Sequence, residues 1–472
     1  MHSYEKFYIN GEWVQPSGSG AIEVINPTTE QPCGSVPNGD ASDVDAAVAA
    51  AKAAFPAWAA TSAAERSGYI AQLAGKLDEN KEALASLISE ELGMPVGWSV
   101  AIQVGLPTGV MASYIDLPAE MEKEEELANS LIIKEPIGVC GFITPWNYPL
   151  HQIVGKVAPA LAAGCTMVLK PSSETPLDAF KFAELIDEVG LPAGVFNLVT
   201  GPGRVVGEAI ATHKDVDMLS ITGSTEAGVR VAELAAPTVK RVTQELGGKS
   251  ASVILDGAEL EAAVGAAVIG LSINTGQTCA ALTRLIVPRQ SQDAVVAIAK
   301  GAAATVVVGG AFDEAAGMGP MVSKSQQATV RKYIQQGIDE GATLVTGGVD
   351  MPEGLTEGYY VPMTIFADVT NDMVIAQEEI FGPVLSIIPY DTEEEAIAIA
   401  NDSPFGLSGA VWGPDVDAAK AVARQIRTGQ IAINGGDFNI AAPFGGYKQS
   451  GNGRELGAHG LTEFIEIKSL QL

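Results

Sequence analysis

Positive charge is scarce in this chain. Its 472 residues hold 28 Lys and Arg against 57 Asp and Glu, a formal net charge of -29. Such a surface repels phosphate backbones and anionic headgroups, so neither nucleic acid nor a membrane surface is an expected partner. Cysteine is scarce as well: Cys33, Cys140, Cys165 and Cys279 are the full set, and no two stand in Cys-x-x-Cys spacing. Neither a disulfide framework nor a zinc site is expected. The histidines His2, His151, His213 and His459 are scattered, so no metal cluster and no histidine base beside any cysteine is foreseen. No run of about 18 apolar residues stands out as a membrane span, and Met1-His2-Ser3-Tyr4-Glu5-Lys6 lacks the basic and apolar regions of a signal peptide. The expectation is a cytoplasmic protein.

What is present is globular. Hydrophobic residues make up 47% and charged residues 18%, which excludes general disorder, and the length accommodates two or three domains. Between 138 and 245, short β-branched runs alternate with helical stretches, the pattern of parallel strands joined by crossover helices. Strands are predicted at 139–144, 166–170, 195–199, 218–222 and 241–245, with helices near 150–163, 176–189, 203–212 and 225–235. A doubly wound sheet of this kind binds ligands at the carboxyl ends of its strands. The alanine-rich stretch 41–91 predicts two helices packed outside the sheet. A second α/β unit is predicted over 251–433, with strands at 251–256, 283–288, 383–389, 408–412 and 430–434 and a helix at 260–272. Leu131-Ile132-Ile133-Lys134 and Phe464-Ile465-Glu466-Ile467-Lys468 alternate apolar and polar residues without a helix beside them. They read as exposed strands, paired either within one chain or across an oligomer contact.

Four local motifs bear on chemistry. Ile221-Thr222-Gly223-Ser224-Thr225-Glu226-Ala227-Gly228 joins a strand to a helix, and its free amides suit an anion such as a pyrophosphate. It matches neither the P-loop nor the three-glycine dinucleotide fingerprint, and a capped turn would look the same. Cys279 follows Asn274-Thr275-Gly276-Gln277-Thr278. Small polar neighbours make it less core-like than the other cysteines; as a thiolate it would be a strong nucleophile. Glu245 in Glu245-Leu246-Gly247-Gly248-Lys249 ends a strand, where it could be a general base or the partner of Lys249. Asn147 in Pro145-Trp146-Asn147-Tyr148-Pro149 could donate to an oxyanion or cap a rigid turn.

Taken in order with Lys170-Pro171-Ser172, Glu379-Ile380-Phe381-Gly382-Pro383 and Pro443-Phe444-Gly445-Gly446-Tyr447-Lys448, these motifs resemble those of the aldehyde dehydrogenase superfamily. The resemblance runs from Ile9-Asn10-Gly11 to the carboxyl terminus. It implies an aldehyde dehydrogenase-like α/β fold: a Rossmann-type cofactor domain over 1–117 and 137–247, an α/β catalytic domain over 248–455, and a β oligomerisation arm from 118–136 and 456–472. It also implies oxidation of a small-molecule aldehyde to the acid with NAD or NADP, in a homodimer or homotetramer. Cys279 is then the nucleophile, Asn147 the oxyanion donor and Glu245 the base toward water; no metal is implied. Cofactor contacts are implied for Thr144, Pro145, Trp146, Lys170, Ser173, Gly203, Gly223, Ser224, Gly228, Leu246, Gly247, Glu379 and Phe381. Where NAD-preferring relatives often carry glutamate three residues after the lysine, this chain has Ser173, which points to dual NAD and NADP use. A substrate tunnel is implied along Tyr148, Gln152, Gly155, Thr278, Ala280 and Phe438. Gly155, at a position often aromatic, suggests a wide tunnel for longer or bulkier aldehydes. The enzymatic alternatives are a coenzyme A-acylating semialdehyde dehydrogenase and a cysteine esterase.

Overall fold

The computed structural model describes residues 1–472. β-Branched and apolar runs at Val139–Ile143, Thr166–Lys170, Phe196–Leu198, Met218–Thr222 and Arg241–Glu245 form the parallel centre of an eight-stranded sheet. Met218–Thr222 lies beside Val139–Ile143, and Thr166–Lys170 lies on the other side of that strand. The strand order therefore reverses at Val139–Ile143, and the crevice beyond its carboxyl end is where a doubly wound sheet receives ligands. Helices such as Pro149–Ala163 and Leu177–Val189 cover the faces, and the sheet and helices share the largest apolar core.

The second unit is a seven-stranded sheet running Thr343–Thr346, Thr364–Ala367, Val384–Tyr390, Arg284–Pro288, Ala251–Ile254, Gly409–Trp412 and Ala432–Ile433. All of its pairings are parallel except the Thr343–Thr346 edge. Two apolar clusters flank it, one on each face. A third, small sheet pairs Ile465–Gln471 antiparallel with Ser130–Pro136, and that strand with Glu125–Leu127. The two alternating segments noted in the sequence thus pair within one chain, and Leu127, Ile467 and Leu470 stay exposed on this arm.

Four differences from the sequence expectation have physical causes. The stretch 41–91 forms three helices, Ala41–Ala59, Ala63–Glu79 and Lys81–Leu92, because Ser62 opens the second with a reciprocal capping box and Asn80 interrupts the next. The helix expected at 203–212 begins as a π turn, Gly203–Gly207. Gly451–Asn452, within the range assigned to the second domain, instead pairs antiparallel with Arg241–Glu245 and covers the edge of the first sheet. Finally, the helical stretch Val96–Glu122 reaches a mean hydropathy of 1.2 over a span long enough to cross a bilayer, where no such run was expected. It is broken into α, π and 3-10 turns, and its apolar residues pack against Ala63–Glu79, Lys81–Leu92 and Pro149–Ala163.

Candidate active site

Asn274, Thr275 and Gly276 take left-handed conformations in succession, with φ of 50°, 58° and 69°. For the two non-glycine residues this costs roughly 1–2 kcal/mol each, so surrounding contacts must enforce it. They do. The Thr275 hydroxyl donates to the Gly319 carbonyl at 2.9 Å, the Gln277 amide donates to the Asn274 carbonyl at 3.0 Å, and Val322 N–H donates to Gln277 Oε1 at 2.9 Å. The turn lifts Cys279 into a cleft of about 280 Å³, where it is half-buried. Cys33, Cys140 and Cys165 are buried in the core. Cys279 thus stands apart from the three core cysteines.

Burial, then the carboxylates of Glu245 and Glu379, push the Cys279 thiol up to about 12; hydrogen bonds from the Ala280 and Cys279 amides oppose them. Asn147 lines the same cleft. Its side-chain amide donates one hydrogen to the Gln277 carbonyl at 3.0 Å, which leaves the second hydrogen free, since an amide nitrogen carries two. Its backbone carbonyl accepts from Asn274 Nδ2 at 2.7 Å. Asn147 is thus tied to the cysteine turn rather than serving as an isolated turn cap.

Glu245 ends its strand nearly buried, and its Oε2 has no hydrogen-bond partner in the protein. Burial, with Glu455 close by, raises its carboxyl well above the usual range. A Cβ on Gly445 would stand 2.6 Å from Glu245 Oε1, so the Pro443-Phe444-Gly445-Gly446 motif makes room for this side chain. The ion pair with Lys249 that the sequence allowed is absent: the Lys249 ammonium is buried without a partner, and burial lowers it to about 7.

The cleft also gathers Pro145, Trp146, Gly223, Ser224, Leu246, Gly247, Glu379 and Phe381. Trp146 meets Phe381 edge to face, with ring centroids 5.3 Å apart. Gly247 and Gly248 are needed for close approach, since a Cβ would lie 2.2 Å from Glu379 Oε2 at the first and 2.4 Å from the Cys279 carbonyl at the second. Glu379 accepts from Gly248 N–H at 2.9 Å, and burial raises its carboxyl to about 7. Ser224 caps the following helix by accepting from Ala227 N–H at 3.2 Å and also faces the cleft, so the capped turn leaves the loop open to a ligand.

From Ser224 the cleft opens into a groove of about 720 Å³ between the segments 203–208 and 224–233, lined by Gly203 and Arg204 on one side and Ala227 and Arg230 on the other. Lys170 ends its strand beneath that groove, buried, with its ammonium lowered to about 8 by desolvation. Ser173 Oγ donates to the Gly201 carbonyl at 3.4 Å. Thr144 is buried beside Lys170, whose carbonyl its N–H bonds at 3.1 Å, and Gly228 packs on Leu246.

Of the tunnel candidates, Tyr148 and Thr278 meet hydroxyl to hydroxyl at 2.6 Å beside Cys279, and Ala280 is half-buried next to it. Gln152 is buried with Oε1 unpartnered. A Cβ on Gly155 would have only Glu455 Oε2, at 3.4 Å, within 4 Å. Phe438 is 47% exposed and packs edge-on against Phe444, so of these six residues it stands farthest into solvent. Sequence reasoning missed Lys156, which donates to Thr222 Oγ1 at 2.7 Å and pairs with Glu455. A lone lysine in the apolar helix Pro149–Ala163 was the available signal, because a buried ammonium needs a partner. It also missed Gln103, which lies in the apolar stretch after Pro95.

A half-buried thiol and an amide donor in one cleft, with a buried carboxylate at the carboxyl end of a neighbouring strand, are groups suited to a cysteine-dependent enzyme acting on a carbonyl carbon. The chain belongs to the aldehyde dehydrogenase family, whose family model matches residues 13–470. It is 48% identical over 471 residues to a 3-succinoylsemialdehyde-pyridine dehydrogenase from a Pseudomonas species, covering 100% of this chain and 99% of that protein. Aldehyde dehydrogenase C of Pseudomonas syringae, crystallised as a cysteine-to-alanine mutant with NAD+ and octanal, matches with a TM-score of 0.98 and 49% identity over 99% of this chain and 96% of that one. A Mycobacterium tuberculosis aldehyde dehydrogenase in complex with NAD+ has a TM-score of 0.97 and 45% identity, covering 100% and 98%. The fold is that of the family, and the reaction is oxidation of an aldehyde to the carboxylic acid.

Proposed function

We propose that Cys279 is the nucleophile of this oxidation, Asn147 the oxyanion donor and Glu245 the base that activates the hydrolytic water. The observation that carries the reading is the cleft that holds Cys279 and Asn147 and runs on past the Gly223-Ser224 turn. The thiolate attacks the aldehyde carbon, and the free hydrogen of the Asn147 amide and the Cys279 N–H hold the oxyanion of the resulting thiohemiacetal. Glu245, ionised, takes a proton from water; the hydroxide adds to the thioester carbon, the C–S bond breaks, and the acid leaves with Cys279 again a thiolate.

The groove fits a nicotinamide dinucleotide: Gly247 lies in close contact with the Glu379 carboxylate, Ser224 caps a helix start open to the cleft, and Lys170 has no carboxylate partner. Such a group, when bound, supplies the acceptor for the hydride that leaves the thiohemiacetal. Ser224 and Gly223 would hold its pyrophosphate, Glu379 its nicotinamide-side ribose with Phe381 beside it, and Lys170 its adenine-side ribose. Pro145, Trp146, Gly203, Leu246 and Gly247 would wall the site, with Thr144 buried behind them beside Lys170, and Gly228 lets the helix pack onto Leu246.

NAD is the expected acceptor, as in the relatives crystallised with it, and Ser173 admits NADP. A carboxylate there would repel a 2′-phosphate, whereas a serine does not, so the NADP rate at saturation should be at least about one per cent of the NAD rate; initial rates at matched saturation check it.

The substrate class is a longer or bulkier aldehyde, entering along Tyr148, Gln152, Gly155, Thr278, Ala280 and Phe438. The octanal-bound relative supports this, as does the pyridine-bearing substrate named for the other. Absorbance at 340 nm across an aldehyde panel, with NAD or NADP and no coenzyme A, tests the whole reading. Octanal should exceed acetaldehyde in kcat/KM by at least about tenfold, given about 0.8 kcal/mol per buried methylene. Turnover only with coenzyme A would assign an acylating enzyme, and ester hydrolysis without nicotinamide a cysteine esterase.

We assign 1–117 with 137–247 to the cofactor domain and 248–455 to the catalytic domain, with Gly451–Asn452 reaching back to the first sheet. The arm, 118–136 with 456–472, would form homodimers or homotetramers through the exposed Leu127, Ile467 and Leu470. Four free cysteines, one of them a nucleophile, favour a reducing compartment such as the cytoplasm.

A further inference from the structure

Asn147 is held from a direction that the motifs around it do not reveal. Inside the helical stretch that begins at Val96, residues Val100–Gly105 form a π turn, and Leu106 N–H closes it onto the Ala101 carbonyl five residues back. Turns of this kind insert one residue into a helix and rotate the side chains that follow, and they are frequent near functional sites. Here the turn carries Gln103, fully buried among apolar residues. Gln103 Nε2 donates to the Asn147 carbonyl at 3.0 Å and also lies 3.3 Å from Met94 Sδ. Its Oε1 has no partner in the protein. A methionine or leucine would fill similar space without burying an unpaired acceptor, so the glutamine is explained by its N–H donor and not by packing.

The Asn147 carbonyl therefore takes two side-chain amides, Gln103 from the cofactor unit and Asn274 from the cysteine turn. Both bonds fix the peptide from which the Asn147 side chain projects. That side chain has one hydrogen committed to the Gln277 carbonyl, so the direction of its other hydrogen depends on the placement of this backbone. We propose that Gln103 is a positioning residue for the oxyanion donor: through the Asn147 carbonyl it aims the free amide hydrogen at the oxygen of the thiohemiacetal. The proposal rests on the reading of Asn147 given above.

The test uses the full-length enzyme carrying Gln103→Met, Gln103→Glu, Asn147→Ala and the Gln103→Met, Asn147→Ala pair. Gln103→Met removes the donor and should lower kcat about 10- to 100-fold, the scale of a small misplacement of a reacting group. KM for the aldehyde should stay within about twofold, and the rate of Cys279 alkylation by iodoacetamide should not change, since alkylation builds no oxyanion. Gln103→Glu keeps the shape. Protonated, it can donate to the carbonyl; ionised, it repels it. Its kcat should therefore approach wild type at low pH and fall as pH rises, a limb that wild type and Gln103→Met lack. In the Asn147→Ala background, Gln103→Met should cost nothing further. A normal kcat in Gln103→Met while Asn147→Ala is impaired overturns the proposal alone. An unimpaired Asn147→Ala removes both the proposal and the reading beneath it. Additive losses in the pair, or slowed alkylation in Gln103→Met, assign Gln103 to general support of the turn and also overturn it.

Discussion

Alanine at position 279 should abolish aldehyde oxidation, lowering kcat by more than about 10⁴-fold, because no other thiol lines the cleft and the remaining donors have no covalent intermediate to stabilise. The folded protein should be little affected. Cys279 is half-buried at a cleft wall, so the melting temperature should stay within about 2 °C of wild type, as expected for loss of one sulfur at such a site. Dinucleotide binding followed by protein fluorescence should persist, since the groove past Ser224 is untouched. Residual turnover above about one per cent of wild type, a hundredfold loss or less on the scale used for single catalytic groups, would show that another residue attacks the aldehyde. The other three cysteines lie in the core and could not replace it.

The second large effect belongs to Glu245. Glu245→Gln keeps the size of the side chain and removes the proposed base, so thioester hydrolysis should slow by about 10²- to 10⁴-fold. In the proposed scheme, attack and hydride loss do not use this carboxylate. The variant should release one equivalent of reduced dinucleotide per active site in a burst and then stall, with the acyl group detectable on Cys279 by intact-protein mass spectrometry. No burst together with no turnover would place Glu245 before the thioester instead. The pH dependence has a definite sign. Burial holds the carboxyl well above its ordinary range, so the folded protein binds this proton more tightly than the unfolded chain does. Stability from this group is present at low pH and is lost as pH rises through the elevated folded value, while the base becomes active over the same interval. Wild type should thus gain deacylation rate and lose stability as pH increases. Glu245→Gln should show neither trend at this group, and its melting temperature relative to wild type should climb with pH.

Much of the scaffold was legible in the chain because short apolar or β-branched runs alternate with helical stretches at a regular spacing. Met218–Thr222 and Arg241–Glu245 have the predicted bounds, and the helix Leu260–Ser272 matches as well. Thr343–Thr346 and Thr364–Ala367 were not legible. Each has only four residues, and the first is a half-exposed edge strand with a register shift, so neither period nor burial announces it. The site followed the same division. Cys279, Glu245 and Asn147 stood out through their ordered motifs, and the cleft does gather Asn147, Cys279 and Glu379. Gln103 and Lys156 escaped because Gln103 is the one polar residue of its π turn and Lys156 the one charged residue of its helix, each given meaning only by a partner far along the chain; Glu455 is 299 positions from Lys156. Arg204 and Arg230 beside the groove escaped for a similar reason: the π turn and the helix after Ser224 bring them together only in three dimensions.

The segment from Gly445 to Ile465 carries a consequence for how the enzyme comes into being. Gly445 makes room for Glu245, Gly451 pairs with it in the sheet, Glu455 meets Lys156, and the Phe464 carbonyl accepts from Cys165. Every one of these partners is made by the ribosome long after the residue it completes. A chain halted before Gly445 contains the residues of the cysteine turn, of every strand of the second sheet, and of every strand of the first except Gly451–Asn452. It would still lack the walls around its base and the strand that closes the first sheet's edge. The surroundings of Glu245 are therefore the last part of the cleft region to be supplied along the chain, after the Cys279 turn and the strands beside it.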